Sequence, residues 1–289
     1  NGDNSGKSTV IDVKKLLEEL KQEKVDGVVI DLRNNGGGAL SEAIDVTGLF
    51  IDLGPVVQVK NTDGLIEVGE DVDPALVYDG PLAVMVNRFS ASASEIFAAA
   101  IQDYGRGIVV GEQTYGKGTV QTLIDLNKVS RNSTNKFGQL KYTIAKFYRI
   151  NGGSTQHLGV VPDIIFPSYI DPQEFGESSE PSALPWDQID ATNYKLFSNL
   201  NKFLPELLSS SEKRRNADPE FQYLSEDIQT YKQSSKQQYI SLNEEIRNKK
   251  KEADEEKEFI RENERRQRKG LKLLEKGEVP EKNEDESDI

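Results

Sequence analysis

Leu82-Ala-Val-Met-Val-Asn-Arg-Phe-Ser-Ala-Ser-Ala-Ser-Glu-Ile-Phe-Ala-Ala-Ala-Ile-Gln-Asp-Tyr-Gly105 is the stretch that decides the fold class. Leu82–Val86 is apolar without polar alternation, the pattern of a strand buried on both faces. Ala91–Tyr104 is alanine-rich with apolar residues at helical spacing, and Gly105 supplies the stop. A strand that turns tightly into a helix is the repeating unit of an α/β domain, and the same alternation continues on either side. Upstream, Val10, Ile11, Val13, Leu16, Leu17 and Leu20 predict a helix over Val10–Glu23, and Val25–Leu32 a buried strand. The glycine loop Asn34–Gly38, a helix over Ser41–Phe50, a strand at Val56–Lys60 and a loop rich in Asp and Gly follow. Downstream, strands are predicted at Ile108–Val110, Thr119–Leu126 and Leu140–Ile150.

The remainder differs in composition. From Ser168 to Asp187 the chain is rich in Pro, Ser, Gly and acidic residues and ends in Leu184-Pro-Trp-Asp187, a linker that docks. From Tyr194 on, helix-favouring residues dominate, and Ser241–Gly270 is so dense in Glu, Lys and Arg that a solvated helical arm is expected. The expected division is therefore a core over 1–168, a linker over 169–190 and a helical region over 191–289 that ends in an acidic, frayed tail. Polar crowding in the last third lowers the apolar fraction to 36% without weakening the front of the chain.

Composition also excludes function classes. A net charge of −13 leaves no basic surplus to displace counterions from a phosphate backbone, so nucleic acid is not an expected partner. With no cysteine, disulfides, thiolate zinc sites and thiol nucleophiles are ruled out. No apolar run reaches about 18 residues and no leader precedes the first helix, so no membrane span is expected. The opening Asn1–Ser8 reads as the middle of a loop in a longer protein, with any signal segment upstream. Gly2-x-x-x-Gly6-Lys7-Ser8 suggests a nucleotide site but lacks the P-loop spacing and a preceding strand.

Two segments can carry chemistry. In Phe89-Ser-Ala-Ser-Ala-Ser-Glu95, Ser92-x-x-Glu95 matches a helix capping box, and a cap alone would account for it. The same strand-to-helix turn also suits a nucleophile, because the Ala93 N–H and the helix dipole face a developing oxyanion. A base is then required. The single histidine, His157, lies in a turn and reads as a surface or hydrogen-bonded residue. Thr114-Tyr-Gly-Lys-Gly-Thr-Val-Gln121 offers Lys117 instead, either as an ordinary loop lysine or as a buried amine whose pKa has fallen by about three units, at a cost of about 4 kcal/mol. In an extended segment Gln121 shares a face with Lys117 and can accept one of its N–H groups. The amides of Gly37 and Gly38 can complete an oxyanion hole opposite Ala93; the loop also reads as a plain connector or an anion cradle.

Ile30-Asp-Leu-Arg-Asn-Asn-Gly-Gly-Gly38, Asn87-Arg-Phe-Ser-Ala-Ser-Ala-Ser-Glu95 and Gly111-Glu-Gln-Thr-Tyr-Gly-Lys-Gly118 together resemble the tail-specific proteases, or C-terminal processing peptidases, of the bacterial periplasm (serine peptidase family S41). The likeness continues through Phe147–Gln156, Gly159–Asp163 and Leu184–Asp187. It implies a layered ClpP/crotonase-like α/β core, a Ser-Lys dyad of Ser92 and Lys117 with Gln121 in support, and no metal or organic cofactor. It further implies sensitive positions at Gly37, Gly38, Glu95, Asp103 and Thr114, of which Asp103, about three helical turns beyond Ser92, reads as structural. Substrates with apolar C-termini, a peptide-capturing PDZ domain upstream, an adaptor partner and a periplasmic location complete the expectation. The rival reading is a non-catalytic scaffold that binds through the helical region, with Ser92 as a cap.

Overall fold

In chain order, the computed structural model, which describes residues 8–129 and 137–278, contains α1 (Thr9–Glu23), β1 (Val28–Asp31), α2 (Leu40–Gly48), β2 (Gly54–Asn61), β3 (Ile66–Asp71), β4 (Leu82–Val86), α3 (Ala93–Asp103), β5 (Ile108–Gly111), β6 (Thr119–Asp125), the single turn α4 (Leu126–Val129), β7 (Gln139–Tyr148), β8 (Ile164–Ile165), α5 (Leu204–Ala217), α6 (Pro219–Ser235) and α7 (Glu244–Arg268). The chain divides into two compact units, Asn1–Tyr231 and Lys232–Ile289. The Gly2–Lys7 stretch and the acidic end from 279 lie outside the described residues.

Two four-stranded sheets build the first unit. One is parallel, in the order β1-β4-β5-β8; the other is antiparallel, in the order β3-β2-β7-β6. Helix α3 faces both cores: Phe97, Ala98, Ala99 and Ile101 pack with Val84 and Val109 of the parallel sheet, while Ile96, Ala100 and Tyr104 pack with Val56, Val57 and Phe147 of the antiparallel one. This double burial accounts for the alanines of α3, since larger side chains at Ala98 or Ala100, 0% and 1% exposed, would overpack both layers at about 1–3 kcal/mol each. Helix α1 presents Val10, Val13, Leu17 and Leu20 to the parallel-sheet core and leaves Ile11 and Leu16 exposed, then stops at Lys24, which adopts the left-handed conformation.

Several elements differ from expectation. Strand β1 is shorter than Val25–Leu32 and is not buried on both faces: it is the edge of its sheet, and Val29 is 60% exposed. Strand β3 occupies the Asp- and Gly-rich loop, pairing with β2 while it exposes Glu67 and Glu70. The segment expected to be a linker holds a 3₁₀ turn at Glu177–Ser179 and is tied down by Trp186 Nε1 on Ser154 O (3.0 Å) and by Tyr148 and Lys146 on Asp187. Among the described residues no helix is long and apolar enough to cross a membrane. In the second unit, α7 is capped by Asn243, whose Oδ1 accepts the Ile246 N–H, and carries Glu245–Lys249 and Lys251–Glu255 pairs on a solvated surface. Asn263 exchanges hydrogen bonds with Leu274, folding the chain back after the helix.

Candidate active site

The three serines of the β4–α3 turn are sorted by their partners. Ser90 Oγ donates to Leu32 O at 2.7 Å and accepts the Asn87 N–H, and Ser94 Oγ donates to Asn35 Oδ1 at 2.9 Å. Both pin the turn to the end of β1. Ser92 instead has φ 59° and ψ −116°, a backbone conformation that costs a non-glycine residue about 1–3 kcal/mol and persists only where its surroundings impose it. The Ala91 N–H on Asn35 O and the Tyr115 N–H on Ser90 O supply that restraint. Gly37 touches the turn so closely that a Cβ there would lie 2.5 Å from Ala91 O and 2.6 Å from Ala93 N.

Lys117 reaches Ser92 from the loop before β6. Its Nζ lies 3.4 Å from Ser92 Oγ and donates to Thr119 O at 3.1 Å. The former is a long hydrogen bond. Gly116 and Gly118 permit this approach, since a Cβ at either would sit within 2.7 Å of the His157 carbonyl or the Gln156 N–H. Burial holds the Lys117 ammonium below the ordinary lysine range, the Lys141 cation adds to the depression, and Glu177 and Glu95 oppose it.

Glu95, fully buried, joins the two halves. Its carboxylate accepts the Ser92 N–H (2.7 Å), Thr114 Oγ1–H (2.6 Å), the Gly116 N–H (2.7 Å) and the Lys117 N–H (3.0 Å). Burial pushes its pKa up to about 7 while these four bonds pull it down. Thr114 Oγ1 also accepts the Val160 N–H at 2.7 Å. Glu95 therefore does hold the helix start, and the same contacts fix the lysine loop.

The other expected residues are distributed more widely. The Gly37 N–H is taken by Asn35 Oδ1 at 2.9 Å, which removes it as an oxyanion donor. The Gly38 and Ala93 N–H groups have no protein acceptor among the described residues and border the same cleft. Gln121 lines that cleft but is exposed, and no hydrogen bond joins it to Lys117. The pairings jump from Val120–Ala145 to Gln121–Thr143, leaving a bulge at Ile144 of β7 beside Gln121, and the Lys117 ammonium donates to Thr119 O instead. Asp103 accepts Arg149 Nη2 (2.6 Å) and Nε (3.0 Å) and Asn151 Nδ2 (2.8 Å), far from Ser92 along α3. His157 is half-buried rather than on the surface, has φ 63°, and its Nε2 has no partner, although its N–H bonds Gly116 O at 2.8 Å.

Three residues that composition did not single out complete the framework. Asn35 orients the glycine loop, Gln156 Oε1 accepts the Gly118 N–H at 2.8 Å, and buried Arg88 ties the carbonyls of Thr114, Pro172 and Phe175 together. All three lie within quoted motifs, so their positions were visible although their bonds were not. The cleft, about 580 Å³, runs past Ser92, Lys117, Thr119 and Phe147. An apolar pocket of about 200 Å³ adjoins it through Gly37, Gly38 and Ala93, with walls from Val13, Ile30, Leu32, Val46 and Phe97. Among the described residues no three His, Asp or Glu side chains are grouped to hold a metal ion.

Residues 4–166 match the family model described as Peptidase family S41, and residues 170–289 that described as C-terminal domain of tail specific protease. The tail-specific protease of Haemophilus influenzae is 47% identical over 266 residues, covering 91% of this chain and 38% of the relative. The chloroplastic C-terminal processing peptidase of Tetradesmus obliquus is 34% identical over 161 residues, covering 54% of this chain and 32% of its own. The chain thus spans about a third of the length of these relatives. Among solved structures, the photosystem II D1 C-terminal processing protease aligns over 59% of this chain and 40% of its own with a TM-score of 0.49 at 32% identity.

Proposed function

The chain belongs to peptidase family S41, and from that premise we propose that it carries the catalytic dyad of a serine endopeptidase, Ser92 as nucleophile and Lys117 as general base. The observation that carries this reading is the strained Ser92, whose Oγ faces the Nζ of a desolvated lysine at 3.4 Å while the neighbouring Ser90 and Ser94 hydroxyls are spent on Leu32 O and on the Asn35 side chain. Neutral Lys117 takes the Oγ proton as Oγ attacks a peptide carbonyl carbon. The Ala93 and Gly38 N–H groups receive the oxyanion, and Gly37 acts by shape, holding the loop against the nucleophile turn. Collapse of the tetrahedral intermediate breaks the C–N bond, with the lysine proton passing to the departing amine. Water then enters by the same relay and releases the acid.

Support for an apolar substrate comes from the pocket beside these donors, where a side chain next to the attacked carbonyl would be buried against Val13, Ile30 and Phe97. Preference for apolar C-terminal tails and a periplasmic location belong to the same reading. In the full-length protein, Ser92→Ala and Lys117→Ala should each abolish cleavage of an apolar-tailed protein while leaving the melting temperature nearly unchanged, and a serine-directed covalent probe should label Ser92. Retained turnover in either variant, or labelling elsewhere, defeats the assignment.

A further inference from the structure

The cleft holds two cations and no carboxylate: Lys117 and Lys141 are its only ionisable lining groups among the described residues. In a chain of net charge −13 this local reversal calls for a reason. Lys117 must be neutral to act as the base, which leaves Lys141 as the permanent charge. Lys141 stands on β7 two residues from Thr143, the partner of Gln121, so Lys141 and Gln121 are diagonal neighbours on one face of the sheet. It is exposed to the cleft and has no ion pair or hydrogen bond among the described residues. Lys146 is engaged by Asp187, Arg149 by Asp103, and Arg88 by four backbone carbonyls. Burial chiefly depresses the Lys117 pKa, and the nearby Lys141 cation adds to it.

We propose that Lys141 is a specificity-determining residue that binds a carboxylate of the substrate chain as the scissile bond reaches Ser92. The inference rests on the dyad reading for its placement of the scissile bond. An incoming carboxylate would meet an ammonium already facing the cleft, with no resident partner to displace. Such a group can be an Asp or Glu side chain near the cleavage point or the terminal carboxylate of the tail, and the chemistry at Lys141 is the same.

The test uses paired fluorogenic peptides with one apolar tail. In one series a single Glu is exchanged for Gln at successive positions around the cleavage point; in the other the C-terminus is the free acid or the amide. For the full-length protein the acid-to-neutral ratio of kcat/KM should be about three- to fivefold in one series, the size expected of a solvent-accessible ion pair, and should shrink in high salt. Whichever series shows it identifies the source of the carboxylate. Lys141→Gln should bring the ratio to about one, and Lys141→Glu should invert it. Because each ratio compares two peptides on one variant, a general loss of folding or turnover cancels. A ratio of one in the wild type, or one unaltered by Lys141→Gln, overturns the proposal. Binding of the same pairs to Ser92→Ala, followed by fluorescence anisotropy, should keep the preference without cleavage. Cleavage that persists in Ser92→Ala counts against the dyad, whereas a lost preference with cleavage abolished counts against Lys141.

Discussion

Gly37→Ala tests the geometry of the nucleophile turn most directly. Gly37 has φ 89°, and its missing Cβ would meet Ala91 O at 2.5 Å, Ala93 N at 2.6 Å and Ser92 Cβ at 2.9 Å, where ordinary contact begins at 3.4 Å. Two of these three neighbours are backbone, so no side chain can rotate aside to make room. A left-handed conformation costs an alanine about 1–2 kcal/mol. Overpacking against a fixed turn adds about 1–3 kcal/mol and forces a shift of roughly 0.5–1 Å. For a unit of this size, a loss of about 2–5 kcal/mol lowers Tm by about 5–15 °C. A displacement near 1 Å at the reacting atoms costs about 10²-fold in rate. Calorimetry and cleavage of an apolar-tailed peptide measure the two effects. Gly38→Ala is the internal comparison: nothing lies within 4 Å of its added Cβ, and it should unfold within about 2 °C of the wild type. A Gly37→Ala protein with wild-type Tm and turnover would refute the close packing of the loop on Ser92.

Other outcomes follow from the same contacts. Ser92→Gly relieves the strained backbone, because glycine populates the mirror-β region freely, and should raise Tm by about 2–4 °C while abolishing activity; an unchanged or lower Tm would contradict the strain. Cleavage should increase with pH as Lys117 loses its proton, with a midpoint below the free-lysine value of about 10.4; a midpoint at that value, or a profile set near 6.5, would point away from Lys117 and, in the second case, toward His157. The stability linkage has the matching sign. A lysine depressed in the folded state binds fewer protons than in the unfolded chain, so its contribution to stability grows as pH rises from the folded pKa toward the unfolded one, and Lys117→Met should flatten that rise. Asp103→Ala strands Arg149 and should cost about 3–5 kcal/mol, with the pH midpoint of the surviving activity unmoved; a shifted midpoint would give Asp103 a part in the chemistry.

The parallel layer was legible because Leu82–Val86 and Ile108–Gly111 are apolar on both faces and α3 follows its strand directly. Strand β3 was hidden because it is largely exposed and carries Glu67, Glu70 and Asp71 among its six residues, and β8 because two residues carry no period. At the site, the turn and the glycines made Ser92 and Lys117 candidates beside a cap and a loop lysine, and only the three motifs taken together joined them as an expected pair. The role of Gln121 could not be judged from its own strand, since the bulge beside it belongs to Ile144 in the next one. Gly37 and Gly38 look interchangeable in sequence and differ in the fold, where Asn35 captures the Gly37 amide and the nucleophile turn packs against Gly37 alone. Arg88 was unreadable because its acceptors are carbonyls up to 87 residues away, and carbonyls leave no trace in residue type.

Glu95 gathers the N–H groups of Ser92, Gly116 and Lys117 on a single carboxylate, across a sequence gap of up to 22 residues. The serine turn and the lysine loop thus share one acceptor, and each settles into place against the carboxylate that the other also uses. On the proposed dyad, opening either segment therefore removes the contacts that hold Ser92 beside Lys117. Under the proposed function, that coupling makes the serine's attack on a peptide conditional on three backbone amides meeting one buried acid.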